Sequence, residues 1–319
     1  MGIFARLFGG GGTRARPPAD EAPAAKEGEV ARESGAPRDS PAAPHPDIAA
    51  FSWFMDTHVE ESAPLGREEA ELLAWLDRKL PGVEGDSDLV PRARSVVPQL
   101  LRSLRDETGS LQDLSARVAR DPSLVVEVMR MANGASFRGG QAVTELTQAI
   151  SRLGHDGVRR AIARVLLRPI YESRPGTIYG RAAERLWLFS ERKAEKCLRL
   201  APSVKVDRFE AFLAGLLHNV GWTAVLRLID RRDALSAPIF GGALVRALTE
   251  RRDLFFGTLL RSWQLSPSLD DLSLEIEKWQ GLESARMPIA RLLRLADREA
   301  AQELAQRAPE QDEGGGEPG

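Results

Sequence analysis

The residues best suited to chemistry in this sequence are a histidine and an amide in tandem, His218 and Asn219, in the segment Gly215–Gly221, which reads GLLHNVG. An imidazole can bind a metal ion, contact a phosphate, or act as a hydrogen-bonded core residue. An asparagine can end a helix or offer a weak oxygen ligand. We favour a core histidine and a helix-terminal asparagine; the alternative for His218 is a residual metal or phosphate contact.

The element that positions this pair is a predicted helix over 207–219, which is apolar or small on every side. The residues of its wide apolar face are Phe209, Phe212, Leu213, Leu216, Leu217 and Val220. The opposite face carries His218 among small residues that include Ala214 and Gly215. A helix without a polar face is buried in the middle of a bundle. Its small residues should let a neighbouring helix approach closely.

Helical periodicity extends over most of the chain and no segment alternates convincingly as a strand, so we predict an all-α, multi-helix bundle. Asp121 and Pro122 supply a cap and a proline in the first helical turn, and Asn133 stands at the end of that helix. Gly154 stands at the position directly after a predicted helix, where glycine is favoured. Further helices are predicted over 96–105, 157–168, 181–200, 222–230, 242–263, 269–280 and 284–303.

Composition divides the chain into four segments. Residues 1–47 are rich in glycine, proline and alanine, with too few large apolar side chains to offset the entropy of ordering, so they are predicted to form a disordered arm. Residues 48–84 are predicted to form a short helical extension, 85–303 the main helical domain, and 304–319 a disordered acidic tail.

Composition also argues against several classes of function. A net charge of −2 gives no electrostatic case for binding nucleic acid. The single cysteine, Cys197, can form no disulfide framework or cysteine-based zinc site, and we interpret it as a small buried hydrophobe rather than a reactive thiol. No run approaches the roughly 18 apolar residues of a membrane span, and the N-terminus is a poor secretory signal. We therefore expect a cytoplasmic protein.

Two surface features have alternative interpretations. Residues 1–8 alternate apolar side chains with an arginine, so they either make a weak contact with a membrane or partner or are a frayed terminus. One predicted helix carries the arginines Arg159, Arg160, Arg164 and Arg168. We interpret these as its solvated face, with a basic docking stripe as the alternative.

A set of motifs between about 90 and 298 resembles the HDOD family, the HD-related output domain. The segment Gly215–Gly221 resembles the family's GLLHDIG. Five further segments of this chain resemble family segments in the same order and spacing. They are Asp121–Leu124 with the closing Asn133, Gln148–Gly154, Leu186–Ser190, Arg261–Pro267 and Leu293–Asp297. The family-motif residues expected to be structural are Asp121, Pro122, Asn133, Gly154, Trp187, Gly215 and Gly221. Each piece alone is weakly specific, but the ordered set is fairly specific.

The resemblance also implies where a metal site would lie, and this sequence departs from it. Catalytic HD phosphohydrolases hold metal ions with histidines and aspartates, and the metal activates water for attack on phosphate. Here Phe189 stands where the first histidine would be, and Asn219 replaces the aspartate of the His-Asp pair. No further histidine is present around Asp253 or 278–279. His218 and Asp297 remain, and two anchors are too few for a closed or catalytic site.

The resemblance therefore implies the family's usual role, a non-catalytic signalling or scaffold module of bacteria that binds proteins or small ligands and needs no cofactor or metal. Its expected partners are proteins of a bacterial signalling pathway, and no nucleic acid is expected. The alternative is a divergent metal-dependent phosphohydrolase acting on a nucleotide or cyclic dinucleotide.

Overall fold

A computed structural model describes residues 45–86, 88–90, 104, 110–134, 141–232 and 240–307. Every regular element in these ranges is helical, which confirms the predicted fold class. The α-helices are α1 (Pro46–Met55), α2 (Arg67–Lys79), α3 (Leu111–Ala119), α4 (Pro122–Ala132), α5 (Leu146–Leu167), α6 (Ile178–Leu200), α7 (Arg208–His218), α8 (Val220–Asp230), α9 (Gly242–Trp263), α10 (Pro267–Trp279) and α11 (Pro288–Arg307). Short 3-10 helices follow α2, α5 and α6 at Leu80–Gly85, Arg168–Tyr171 and Ala201–Val204.

Several predicted segments lie outside the described residues. These are 1–44, which include the predicted membrane or partner peptide 1–8, nearly all of the predicted helix 96–105, and 308–319. At the described ends, α1 begins inside the segment predicted as an arm. The last helix continues beyond the predicted domain end at 303, and Leu304 is buried in it. The described helices therefore extend past the predicted limits at both ends.

The predicted cap and closing residues hold α4 in place. The side chain of Asp121 accepts hydrogen bonds from the backbone amides of Ser123 at 2.8 Å and Leu124 at 3.4 Å, and proline follows it. Asn133 caps the other end, and its side-chain amide exchanges two hydrogen bonds with the backbone of Val143, at 2.8 and 2.9 Å. Asn133 therefore joins the end of α4 to the segment that leads into α5.

The predicted break at Gly154 is a kink within a longer helical run. Gly154 has φ 63° and ψ −174°, in a region that side chains rarely adopt, and helix continues on both sides as α5. A glycine pays no steric penalty there.

The predicted extension 48–84 is part of the main bundle. Helix α1 packs along α6 and α11, and the rings of Phe51 and Phe54 lie 5.4 and 5.3 Å from that of Trp222 in α8. All three rings are buried. The extension therefore shares the core of the domain that follows it.

Helix α7 lies at the centre of the described bundle, as its composition predicts, and its residues from Phe209 to His218 are all buried. A Cβ on Gly215 would lie 2.7 Å from the Cα of Ala194 in α6, and one on Gly221 would lie 2.1 Å from the backbone oxygen of Arg252 in α9. Only glycine permits these approaches, so the two glycines bring α6 and α9 against the α7–α8 junction.

We expected no run that is apolar and long enough to span a membrane. Judged by length and composition alone, that expectation is wrong. Within the described residues, the stretch Arg208–Asp230 passes that test. It consists of α7 and α8, which meet at Asn219, and 94% of its most apolar window is buried inside the protein. Such burial is typical of the core helix of a bundle.

The interpretation of the α5 arginines as a solvated face is wrong for two of them, because Arg159 and Arg164 are only 4% and 6% exposed. The guanidinium of Arg159 lies 4.1 Å from the ring centre of Phe209. Arg164 donates a hydrogen bond to Glu191 of α6 at 2.9 Å. Long arginine stems can cover apolar surface while their charged heads find partners, which the sequence pattern alone does not reveal.

Candidate functional site

Four helices bring polar side chains together inside the bundle. Helix α6 supplies Lys193, α7 ends with His218 next to Asn219, α9 supplies Arg252 and Asp253, and α11 supplies Asp297. All six residues are buried. We call this set the Lys193 network.

The four positions predicted to form a degenerate metal site do come together, and the ammonium of Lys193 lies among them. Its Nζ is 2.9 Å from Nδ1 of His218 and 2.8 Å from Oδ1 of Asn219. It also forms an ion pair with Asp297, and it lies 4.5 Å from the ring centre of Phe189. A lysine side chain therefore reaches the point at which the residues implied as metal ligands converge.

The outer side of the network orients the histidine. Nε2 of His218 lies 3.0 Å from Oδ1 of Asp253, whose other oxygen accepts a hydrogen bond from the backbone amide of Leu282 at 3.0 Å. Because an ammonium can only donate hydrogen bonds, Nδ1 of His218 must accept from Lys193. The neutral imidazole then carries its proton on Nε2 and donates it to Asp253.

Arg252 joins the two carboxylates of the network. Its Nε donates to Asp253 at 3.0 Å and its Nη1 donates to Asp297 at 2.9 Å. The network thus contains two cations, Lys193 and Arg252, and two anions, and it balances to zero when His218 is neutral. Buried charges are tolerated when they are paired and hydrogen-bonded in this way.

The ionisation states support this arrangement. Burial lowers the pKa of His218 to about 4, and the charges of Lys193 and Arg252 act in the same direction, so the imidazole is neutral at pH 7. Burial also lowers the pKa of Lys193 to about 8, against the opposing effect of Asp297. Burial alone would raise the pKa of Asp297, but Arg252 and Lys193 outweigh it and hold that pKa far below its usual range.

These residues do not fit a divalent metal ion. A metal would need the lone pairs of His218, Asn219 and Asp297 that the ammonium of Lys193 already engages. The positive charges of Lys193 and Arg252 would repel it, and a neutral amide is a weaker ligand for a hard cation than a carboxylate. The buried Nδ2 of Asn219 has no hydrogen-bond partner among the described residues.

Helix α1 covers this network from outside. Its residues Pro46, Asp47 and Ala50 face Arg252 and Asp297 across a gap of about 10 Å³. Such a gap is about the size of a single water site. A separate pocket of about 260 Å³ beside the start of α1 is lined by Arg252, Asp253 and Asp297, so the cover of the network by α1 is incomplete.

A second candidate site is a surface groove of about 980 Å³ between α4, the end of α5, and α6. Its lining includes two apolar side chains that are unusually exposed, Val126 at 66% and Leu188 at 38%. Trp187, one of the predicted structural residues, contributes to the wall and is itself buried. Sequence reasoning missed this groove; its only signal was apolar residues at outward positions of their helices.

Charged side chains pair with one another along this groove. Arg130 forms a two-pronged contact with Glu127 at 2.6 and 2.8 Å. Arg164 reaches Glu191 at 2.9 Å and Glu195 at 2.5 Å. We call these five residues the Arg164 cluster.

Sequence reasoning identified four positions around the site and missed the residues that fill it. Lys193 follows Phe189 by one helical turn, so their shared face could have been noticed. Arg252 and Asp253 stand in a charged run that resembles an exposed helix surface.

Cys197 is buried as expected, and burial raises the pKa of its thiol well above its ordinary value.

The fold and the convergence of these four positions define an HD-like helical domain. The model of the HDOD domain family matches residues 90–275, which is more than half of the chain, and the protein belongs to this family.

Solved structures of low sequence identity share the fold. An HDOD domain protein of unknown function from Geobacter sulfurreducens is 19% identical, with a TM-score of 0.52 over 70% of this chain and 78% of that one. A Shewanella amazonensis protein described as a "putative metal-dependent phosphohydrolase" is 18% identical, with a TM-score of 0.55 over 78% of this chain and 90% of that one.

A curated relative, an uncharacterized protein of Treponema pallidum, is 23% identical over 169 residues, which cover 51% of this chain. The matched part is 32% of the relative's length, so this chain spans about a third of that protein.

Proposed function

We propose that this HDOD protein is a non-catalytic signalling or scaffold module of a bacterial cytoplasm, and that it acts by binding a protein partner. The observation that carries the proposal is the ammonium of Lys193, which contacts His218, Asn219 and Asp297 at the point where an HD enzyme would need its metal. HD-type hydrolysis depends on a metal-activated water. Because the ammonium of Lys193 already engages these ligands, they are not free to hold the metal that such hydrolysis needs.

The alternative function is a divergent metal-dependent phosphohydrolase acting on a nucleotide or cyclic dinucleotide. One observation favours it: His218 donates its Nε2 proton to Asp253, an arrangement that also orients metal-binding histidines. The similarity to a Shewanella protein described as a "putative metal-dependent phosphohydrolase" points in the same direction. Against it stand the two buried cations of the network, Lys193 and Arg252.

Metal analysis distinguishes the two functions. We expect the purified full-length protein to contain no stoichiometric Fe, Mn, Zn or Mg, and to show no hydrolysis of phosphodiesters above background when Mn²⁺ is supplied. His218→Gln, which removes one of the implied metal ligands, serves as the control for any residual rate. One bound metal per wild-type chain, or a Mn²⁺-dependent rate that His218→Gln abolishes, would establish the enzymatic alternative.

The groove beside Trp187 supports the binding role. Its exposed apolar residues Val126 and Leu188 could be covered by a partner, while the charges around them are already paired within the protein. Such a surface selects apolar contacts over a strongly charged ligand. We therefore assign the groove to a short amphipathic helix of a protein partner, one of the common modes of peptide recognition.

Charge substitutions in the groove test this assignment. We expect Val126→Glu/Leu188→Glu to abolish capture of a specific protein from the native host while the fold is retained. The control variant, Leu274→Glu/Leu295→Glu, changes two exposed leucines outside the groove lining and should capture the same protein. Purified partner that binds the groove variant as tightly as wild type would contradict the assignment.

A further inference from the structure

The Lys193 network surrounds a position at which a cation is required. Three different acceptor atoms converge on one nitrogen: Nδ1 of His218 at the end of α7, Oδ1 of Asn219 directly after it, and a carboxylate oxygen of Asp297 on α11. Each of these atoms presents a lone pair to that nitrogen. A neutral side chain in place of Lys193 would leave the three acceptors facing one another, with Arg252 as the remaining cation of the network.

The donor set is one that divalent transition metals use. Imidazole nitrogen and carboxylate oxygen are ordinary ligands of zinc and manganese. The imidazole is already oriented from behind by Asp253, because Nε2 of His218 lies 3.0 Å from its carboxylate. A carboxylate that accepts the distal proton of a ligating histidine is the usual outer support of a metal site.

The fourth side of the position is apolar. The ring centre of Phe189 lies 4.5 Å from Nζ of Lys193, and both residues stand on α6, one turn apart. A histidine at 189 would have a ring in the same region. A single substitution at position 189 would therefore supply the ligand that this side lacks. Position 189 and Lys193 both lie on α6.

We propose that Lys193 is the resident cation of this pocket: its ammonium occupies the place of a divalent metal ion, and exchanging it together with Phe189 and Asn219 opens a site for one such ion. This inference deepens the proposed non-catalytic function and rests on it, because it explains what keeps the pocket intact without a metal. The covalent attachment of Lys193 to α6 makes this cation permanent. Stability of the pocket then does not depend on metal supply.

The test is metal binding by the full-length variant Phe189→His/Lys193→Ala/Asn219→Asp. Co²⁺ and Zn²⁺ alone are the probes, followed by the visible absorption of bound Co²⁺ and by calorimetry with Zn²⁺. We expect one ion per chain, a Co²⁺ spectrum of low coordination number, and a rise in melting temperature on metal addition. The wild type should show none of the three.

The sharpest control keeps the lysine. Phe189→His/Asn219→Asp has the same four ligand side chains around the pocket as the triple variant, two imidazoles and two carboxylates, but Lys193 still occupies it. We expect this double variant to bind no metal at the pocket. Equal, stoichiometric binding by the double and triple variants would overturn the proposal, because the ammonium would then not be what excludes the ion. A folded triple variant that binds no metal would overturn it as well.

A second measurement applies if the triple variant does not fold. Lys193→Met should lower the melting temperature strongly, and adding Asp297→Asn should recover part of the loss, because the pair would then be removed together. Lack of any coupling between the two substitutions would contradict a cation role for Lys193. Metal bound by the wild type would defeat the proposed function itself, whereas failure of these variants would defeat only the present inference.

Discussion

Two ion-pair networks of similar composition meet the same turns of helix α6, one through Lys193 and the other through Glu191 and Glu195, and they differ in their exposure to water. In the Lys193 network, the side chains of Lys193 and Asp297 are 0% and 10% exposed, and each charge meets its partners inside the bundle. In the Arg164 cluster, Arg130 is 53% exposed and Glu195 45%. The same chemistry is therefore desolvated in one place and partly hydrated in the other.

The difference shows which network the fold depends on. Loss of one partner from a buried pair strands a charge that water cannot reach, whereas loss of one partner at the surface is compensated by solvent. The Lys193 network should therefore behave as part of the core. Within the Arg164 cluster, Arg130 should behave as a surface residue that shapes the groove and contributes little to folding, whereas Arg164 is itself buried.

The largest expected effect is that of Lys193→Met, which leaves the carboxylate of Asp297 with one cationic partner fewer. We expect it to lower the free energy of unfolding by about 3–5 kcal/mol, measured by urea denaturation. Arg130→Met, the matched substitution in the Arg164 cluster, should cost less than about 1 kcal/mol. Similar losses in the two variants would remove the distinction between the networks.

A somewhat smaller loss is expected for His218→Ala. It removes the contacts of both ring nitrogens, to Lys193 and Asp253, and leaves a cavity, which together should cost about 2–4 kcal/mol. His218→Gln should cost less, since an amide can replace part of the hydrogen bonding. Partner binding should follow the folded fraction in both variants. Wild-type stability with abolished binding would show instead that His218 is a binding residue.

Acid should weaken the buried network through the same histidine. The folded protein holds the pKa of His218 at about 4, whereas the unfolded chain titrates near 6.5, so between these values the unfolded state binds more protons. Stability is then fully present above about pH 6.5 and falls as the pH drops to 4. Each pKa unit corresponds to about 1.4 kcal/mol, so the loss is on the order of 3 kcal/mol. Chemical denaturation across this range should show a step that His218→Gln lacks.

Salt should produce the smallest effect and separate the networks most finely. At 1 M NaCl the Debye length is about 3 Å, so exposed pairs are screened and buried pairs much less. The small penalty of Arg130→Met should disappear between 0.1 and 1 M NaCl, while that of Lys193→Met should remain. The measurement is the midpoint of urea unfolding at each salt concentration. Equal salt sensitivity would indicate that the Lys193 network is hydrated.

Local signals in the sequence predicted much of the fold because their physics is local. Asp121 and Pro122 start a helix through their own backbone geometry, and Gly154 marks a kink through its positive φ. Gly215 was recognised from the small face of its helix. These residues act on neighbours within a few positions, and the periodicity around them fixes the helices.

The content of the site could not be predicted in the same way. Lys193 lies near other charged residues on α6, and Arg252 and Asp253 follow a glutamate and an arginine on α9, so each reads as part of an exposed surface. Only the packing of four helices makes them internal. The vacated ligand positions indicated what had been lost, but nothing in the pattern indicated which residue had replaced it.

The contact of α1 with α11 sets an order of events during synthesis. Helix α1 is made before the chain between Met55 and Pro288, and α11 can cover it only afterwards. At typical translation rates this interval is ~10–50 s. During that time the side of α1 that packs on α11 has no partner. Nascent chains stalled before α11 should therefore be the forms most readily recognised by chaperones and proteases.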